Sequence, residues 1–371
     1  MATRVCHLTS VHPPFDTRIF HKECKTLVAA GYDVVLVAAT LEDVVVDGVR
    51  LHAVAKPTDR IERARRTVPA VLAAAIAEDA ALYHFHDPEL IPVGLLLAAR
   101  GKRVIYDVHE DVPADVLTKD YLAWPLRVVA AGGAAAAERV GATVFDAIVT
   151  VTPTIARRFP ARKTHLVQNF PMASDLAGVA AAPYATREPL AAYAGMIGPV
   201  RGFTQTLGAL ARLPEASPWR LGVAGNFNPP ALEETCRAMP GWGRVDFLGW
   251  QDRPGTMALL ARARVGLVLF EPLANHVAAQ PNKLFEYMAS GLPVIASDFP
   301  RWRELVEGAG CGLLVDPRDE EAIAAALAWV LDHPAEAEAM GRRGAEAVAT
   351  RYTWEAQGQV LVDLYRRLVG P

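Results

Sequence analysis

Cysteine is scarce in this chain of 371 residues: Cys6, Cys24, Cys236 and Cys311 are far apart and none forms a C-x-x-C pair. That spacing argues against a disulfide framework or a thiolate zinc site and fits free thiols in a reducing compartment. A charge excess is missing too. The formal charge is −3, whereas a nucleic-acid binder usually carries a basic surplus. Long apolar runs are lacking. The longest, around 122–137, is broken by Pro125, Arg127, Gly132 and Gly133 and is too short to span a bilayer. Residues 4–9 read directly as a strand, with no basic-then-apolar leader before them. The expected location is therefore cytoplasmic, with peripheral contact on the inner face of the membrane. No G-x-G-x-x-G follows a strand, and neither a P-loop nor a G-x-S-x-G elbow occurs. These absences argue against a nicotinamide fold, a P-loop NTPase and an α/β-hydrolase. An Asp-x-Asp metal motif is also missing.

What the chain has is alternation. Apolar residues make up 52% and charged residues 21%, enough for two cores at this length. Short strand-like runs fall at 5–8, 34–38, 49–54, 82–85, 104–108, 147–151 and 165–167, with helical patterns such as 17–30 and 88–100 between most of them. After an Ala- and Pro-rich break the pattern restarts at 191–194, 221–224, 245–248, 265–270, 294–296 and 312–315. Helices are predicted there at 203–213, 255–263, 282–290 and 320–331. Strand and helix in turn signal βαβ units and parallel sheets. The spacing predicts an α/β protein of two Rossmann-like domains: 1–170, a linker at 171–189, 190–351, and a closing helix at 352–371 that crosses back to the first domain.

The strongest local feature is Pro281-Asn-Lys-Leu-Phe-Glu286-Tyr-Met-Ala-Ser-Gly291. Pro281 and Asn282 suit a helix start and Gly291 its end. A helix N-terminus offers free N–H groups to a diphosphate, and Glu286, one turn in, suits ribose hydroxyls. Position alone fits an ordinary capped helix with Glu286 in solvent at least as well.

This segment resembles the signature of retaining glycosyltransferases of family 4, which have the GT-B architecture of two facing Rossmann-like domains. Four further blocks are similar to the family in the same order. They are His12-Pro-Pro-Phe-Asp-Thr-Arg18 running on to Glu23, His86-Asp-Pro-Glu-Leu90, Tyr106-Asp-Val-His-Glu110, and Val245-Asp-Phe-Leu-Gly249. The resemblance implies a nucleotide-sugar donor (UDP-, GDP- or ADP-linked), a hexose-type sugar, a glycan, lipid-linked or small-molecule acceptor, and a role in polysaccharide biosynthesis. It implies ribose binding by Glu286, diphosphate binding by Arg201 and Lys283, and contact of His109 with the transferred sugar. Asn282, Leu284, Gly195 and Gly249 join the donor site on the same grounds. Three departures stand out. The first of the family's paired glutamates falls on Ala278, where Asn275, His276 or Gln280 are candidate substitutes, and the family's second basic residue falls on Met196. Asp16, Thr17 and Arg18 replace a glycine pair beside the phosphates, so that Arg18 would approach by charge; the alternative is a helix N-cap at Asp16 or Thr17. No metal and no other cofactor is expected, since basic side chains and a helix N-terminus supply the positive charge.

Two rival readings remain. A non-catalytic sugar-nucleotide or glycan-binding protein is kept open by Ala278. A metal-dependent hydrolase would use His84, His86 and Asp87. The cluster Arg60, Arg63, Arg65 and Arg66 reads as a solvated face, or as a contact for anionic lipid headgroups.

Overall fold

The computed structural model describes residues 2–119, 123–172 and 183–370. Of the expected linker at 171–189, residues 173–182 lie outside the described residues. The chain divides into two compact units: Met1–Asn169 together with Trp354–Pro371, and Phe170–Thr353.

The first unit is built on an eight-stranded sheet in the order β3-β4-β2-β1-β5-β6-β7-β8. Its strands are β1 (Arg4–Leu8), β2 (Asp33–Ala39), β3 (Val44–Val46), β4 (Val49–Val54), β5 (Leu82–Phe85), β6 (Arg103–Val108), β7 (Ala147–Thr150) and β8 (Thr164–Leu166). All neighbours pair in parallel except β3 with β4. β3 is a short antiparallel edge strand that the runs of the sequence do not reveal, because three valines lack a full period. Of the apolar stretch around 122–137, residues 124–137 belong to a helix, Trp124–Val144, and residue 122 lies outside the described residues.

Side-chain alternation gives this sheet two unlike faces. Cys6, Leu8, Tyr83, Phe85, Tyr106 and Val108 point to one side, into an apolar core with Val71, Leu97 and Phe145. His7, His84 and Asp107 occupy alternate positions and so point to the other side, where they are fully buried. That face lies under a helix that is π-type over Thr17–Cys24 and α over Lys25–Ala29, and under the terminal helix Trp354–Val369. Asp16 caps the first of these by accepting from the N–H groups of Arg18 and Ile19.

The second unit holds a six-stranded parallel sheet in the order β11-β10-β9-β12-β13-β14. The strands are β9 (Leu190–Ala194), β10 (Arg220–Ala224), β11 (Val245–Gly249), β12 (Val265–Val268), β13 (Val294–Ser297) and β14 (Gly312–Val315). Apolar clusters cover both faces, as parallel sheets require. Among the described residues, no helix is long and apolar enough to cross a membrane.

Both sheets wind outward in two directions from their first strand. β1 is followed by β2 on one side and has β5 on the other; β9 is followed by β10 on one side and has β12 on the other. The loops at such a reversal diverge and leave a crevice at the carboxyl ends of the strands. In the second unit the loops after β9 and β10 approach each other closely, and glycine permits it. A Cβ built on Gly225 meets the carbonyl oxygen of Gly195 at 2.0 Å, whereas one on Gly243 meets nothing within 4 Å. Gly225→Ala is therefore expected to lower stability by at least about 1–3 kcal/mol, and Gly243→Ala by no more than about 0.5 kcal/mol. Urea denaturation of the two variants checks this, and equal midpoints would contradict it.

Candidate functional site

In the second unit, Lys283 stands on the first turn of the helix Asn282–Ala289 and leans back over the crevice. Its ammonium lies 4.3 Å from the centre of the Tyr193 ring and 5.7 Å from that of Phe270. Tyr193 belongs to β9 and Phe270 follows β12, so the cation sits at the reversal of the sheet. A Cβ on Gly195 would lie 3.5 Å from it, and Gly195 has a φ of +110°, a conformation glycine adopts readily. Nζ is buried and has no hydrogen-bond partner. Burial lowers this ammonium to about 7, and the nearby Arg201 guanidinium pushes the same way. Arg201 itself lies over the other part of Phe270, 5.0 Å from the ring centre. Two cations converging on an aromatic floor, one with no anion to meet it, make a site short of negative charge.

Glu286, one turn further along the helix, accepts from Arg253 Nη1 at 3.0 Å. Arg253 opens the helix Arg253–Arg262 just beyond Gly249, which has a φ of +67°. Asn282 begins its helix and Leu284 is buried in the core behind it. Of the candidate substitutes near Ala278, His276 is engaged with the backbone oxygen of Glu271 at 3.0 Å. Asn275 Oδ1 and Gln280 Nε2 are buried without partners.

The first unit carries its polar groups on the inner face of the sheet. Arg18 is buried, and its guanidinium grips Asp107 through Nε at 3.0 Å and Nη2 at 3.1 Å. Nη1 donates to the Val167 carbonyl at 3.0 Å, and Glu23 Oε1 lies 3.0 Å from Nε. The charge of Arg18 is thus met inside the unit. Asp16 serves as the helix cap. Asp107 is held well below the usual carboxylate range, against the cost of burial, chiefly by Arg18 and then by His109. Glu23 is pushed well above it, by burial first and then by the negative Asp107. The two shifts run in opposite directions, so that the guanidinium favours the charged form of Asp107 over that of Glu23.

His109 lies two residues beyond Asp107, on the same face, and donates from Nε2 to Asp107 Oδ2 at 3.0 Å. Its ring is also 3.2 Å from His86 Nδ1. A chain of contacts leads inward from there: His86 Nε2 to His7 Nδ1 at 2.9 Å, His7 Nε2 to the Tyr365 hydroxyl at 2.9 Å, and that hydroxyl to His84 Nδ1 at 2.8 Å. Burial holds His7 and His84 well below their ordinary range and lowers His86 to about 4. His84, His86, Glu23 and Asp107 bring one ligand atom each within 4.8 Å of one another. The cation between the two carboxylates is the guanidinium of Arg18. Asp87 does not join this group; it turns toward the loop after β1, where it meets Thr9, Ser10 and His12. The structure thus separates the His84, His86 and Asp87 trio.

Sequence reasoning passed over three of these residues. Asp107 stands in the same block as His109, two residues before it, where β6 ends. His12 was quoted in a motif without a role, and Arg253 gave no signal because its partner is distant in sequence.

Residues 17–169 match the family model described as glycosyl transferase 4-like domain, and residues 188–333 match the one described as glycosyl transferases group 1. Both units are glycosyltransferase domains. A lipopolysaccharide core biosynthesis glycosyltransferase, LpsE of Rhizobium meliloti, is 29% identical over 234 residues, covering 60% of this chain and 64% of its own. A D-inositol 3-phosphate glycosyltransferase of Mycobacterium avium is 30% identical over 49% of this chain and 42% of its own. The chain thus spans less than two thirds of the length of these curated relatives. Among solved structures, a sucrose-phosphate synthase from Thermosynechococcus elongatus superposes with a TM-score of 0.74 at 21% identity, over 99% of both chains. Anabaena HepE, solved with UDP-glucose, gives 0.71 at 14% identity over 98% of this chain and 99% of its own. The fold is GT-B, with two α/β domains on parallel sheets.

The charge assignment in the first unit is open to a direct test. Asp107→Asn leaves the Arg18 guanidinium buried without its anion and is expected to cost about 3–5 kcal/mol. Burial and the negative Asp107 push Glu23 well above the usual carboxylate range, toward the neutral form that Gln mimics, so Glu23→Gln is expected to cost less than about 1 kcal/mol. Denaturant titration at neutral pH separates the two, and equal losses would mean that Glu23 is ionised.

Proposed function

We propose that the protein is a glycosyltransferase that moves a hexose-type sugar from a nucleotide diphosphate donor to a glycan, lipid-linked or small-molecule acceptor, with retention of configuration. The observation that carries this reading is the partnerless ammonium of Lys283 at the reversal of the second sheet, with Arg201 on the same aromatic floor. A diphosphate is the ligand that such a pair lacks. In this reading the two cations and the N-terminus of the helix beginning at Asn282 take the diphosphate, and they stabilise the charge that builds on the leaving phosphate. Gly195 and Gly249 let the backbone approach, and Leu284 backs the helix. Glu286 takes the ribose hydroxyls and exchanges them with Arg253. His109, oriented by Asp107, meets the transferred sugar. No protein nucleophile is required if the leaving phosphate takes the acceptor proton on the same face. The relatives' work on lipopolysaccharide cores and inositol phosphate, and the UDP-glucose bound to HepE, favour this class over a non-catalytic binder.

A thermal-shift panel of UDP, GDP, ADP and their sugars identifies the donor, because a ligand bound by the native state alone raises the melting temperature. Arg201→Ala and Lys283→Ala are each expected to weaken nucleoside diphosphate binding by roughly 1.5–3 kcal/mol, with nucleoside binding little changed. Glu286→Gln is expected to weaken both. Lys283 is largely neutral above pH 7 in the free protein, and an anion favours its charged form. Diphosphate binding at pH 8 should therefore take up a proton, seen by calorimetry in buffers of different ionisation enthalpy and absent from Lys283→Met. A nucleoside affinity that falls as far as the diphosphate's would remove both cations from the site.

The charge that a divalent ion would bring is already supplied by fixed groups, so transfer is expected to survive exhaustive chelation with EDTA. Transfer that vanishes and returns only with magnesium, manganese or zinc would refute the charge clamp.

A further inference from the structure

The crevice at the reversal of the first sheet, between the ends of β1 and β5, holds a second pair of groups. After β1 the chain runs Thr9-Ser-Val-His12, and after β5 it runs His86-Asp87. Asp87 is 1% exposed. Its Oδ2 accepts from Thr9 Oγ1 at 2.9 Å, Ser10 Oγ at 3.2 Å, Val11 N at 3.2 Å, and the Ser10 N–H. Its Oδ1 lies 2.9 Å from His12 Nδ1. The loop thus folds around an ionised carboxylate, and the imidazole closes the ring of donors. His12 is 26% exposed in its side chain, so its ring reaches solvent while Nδ1 stays committed to Asp87. The ring also lies against His109, with centres 5.0 Å apart. Arg18 is the other basic residue of the segment 9–18, and its guanidinium is committed to Asp107.

We infer that His12 is an anion-binding residue of the first unit, whose imidazolium, held by Asp87, donates from Nε2–H to a phosphoryl oxygen of a substrate. The inference rests on the transferase reading only for what that substrate is. An imidazolium with a carboxylate on one nitrogen presents a fixed, charged donor on the other, and charge-assisted bonds to phosphate are the strong ones. The groups facing it are Asp87 beyond β5, Asp16 from its own loop, and Asp107, His86 and His109 from the neighbouring strand ends. Asp87, Asp16 and Asp107 together raise the imidazolium above the ordinary histidine value of 6.5, against the cost of burial. A raised value means that the charge is present at low pH and is lost as pH rises through it. Affinity for an anion should follow the same limb.

Two sources carry phosphoryl oxygens, the donor diphosphate and a phosphorylated acceptor, and the assay separates them. In the full-length protein with labelled histidine, inorganic pyrophosphate is expected to shift the His12 ring resonances saturably and to raise the pKa read from them. Asp87→Asn should lower that pKa and move the affinity limb to lower pH. With the donor found in the panel, His12→Gln is expected to raise the KM of the phosphate-bearing substrate about ten-fold or more and to flatten its pH dependence. His12→Lys restores part of the loss. The KM that rises names the source. Pyrophosphate that moves His12 no more than chloride of equal ionic strength overturns the assignment. So does a His12→Gln enzyme with the wild-type pH limb, or a wild-type rate that rises with pH through the His12 pKa, which would mark a base. If no donor in the panel is turned over, the transferase reading falls while the pyrophosphate titration still decides the role of His12.

Discussion

A guanidinium with no water around it is the constraint on which the first unit depends. Arg18 is buried, bidentate on Asp107 and tied to the Val167 carbonyl. An uncompensated charge in that position would be expensive, so the sequence surrounds it with groups whose protonation is adjusted to fit. Asp107 is held below the usual carboxylate range, Glu23 is pushed above it, and burial lowers His7, His84 and His86. Together these shifts move the polar face of the sheet toward neutrality, although nearly every side chain on it can carry charge. The orientation of His109 follows, because its Nε2 proton is held by the carboxylate that Arg18 fixes.

The second unit solves a different problem with similar topology. Its sheet is apolar on both faces, and charge is met at the carboxyl edge, where Lys283 rests on Tyr193 and Phe270 without an anion. One unit stores its charges in matched sets and the other leaves a cation unmatched. That asymmetry suits a division of labour in which the second unit meets the ligand's negative charge with an unmatched cation and the first holds its donors in place with buried carboxylates.

Much of this architecture is legible in the sequence. Parallel strands buried on both faces write continuous runs such as Val34-Val-Leu-Val-Ala38, and glycine with proline marks the ends of the helices between them. The helix from Asn282 could be placed from Pro281 and Gly291 alone. Residues that act through distant partners were less legible. The position of Arg18 beside a helix cap suggested a free charge, because Asp107 is 89 residues away and nothing local announces the pair. His84 and His86 looked like ligands with Asp87, yet alternation along the strand turns the third residue to another side. The edge strand Val44–Val46 is too short to show a period.

Tyr365 has a consequence for how the molecule is made. Its hydroxyl bridges His7 and His84, and the contact with His7 joins residues 358 positions apart. The segment Phe170–Thr353 is continuous, so it can close its core as soon as it leaves the ribosome. The earlier segment cannot: its histidine face stays uncovered until residue 365 has been synthesised. At about 5–20 residues per second, that wait is on the order of tens of seconds. Throughout it, the nascent first unit carries a sheet with one finished face and one open face. Truncation before the terminal helix would leave it permanently in that half-built state.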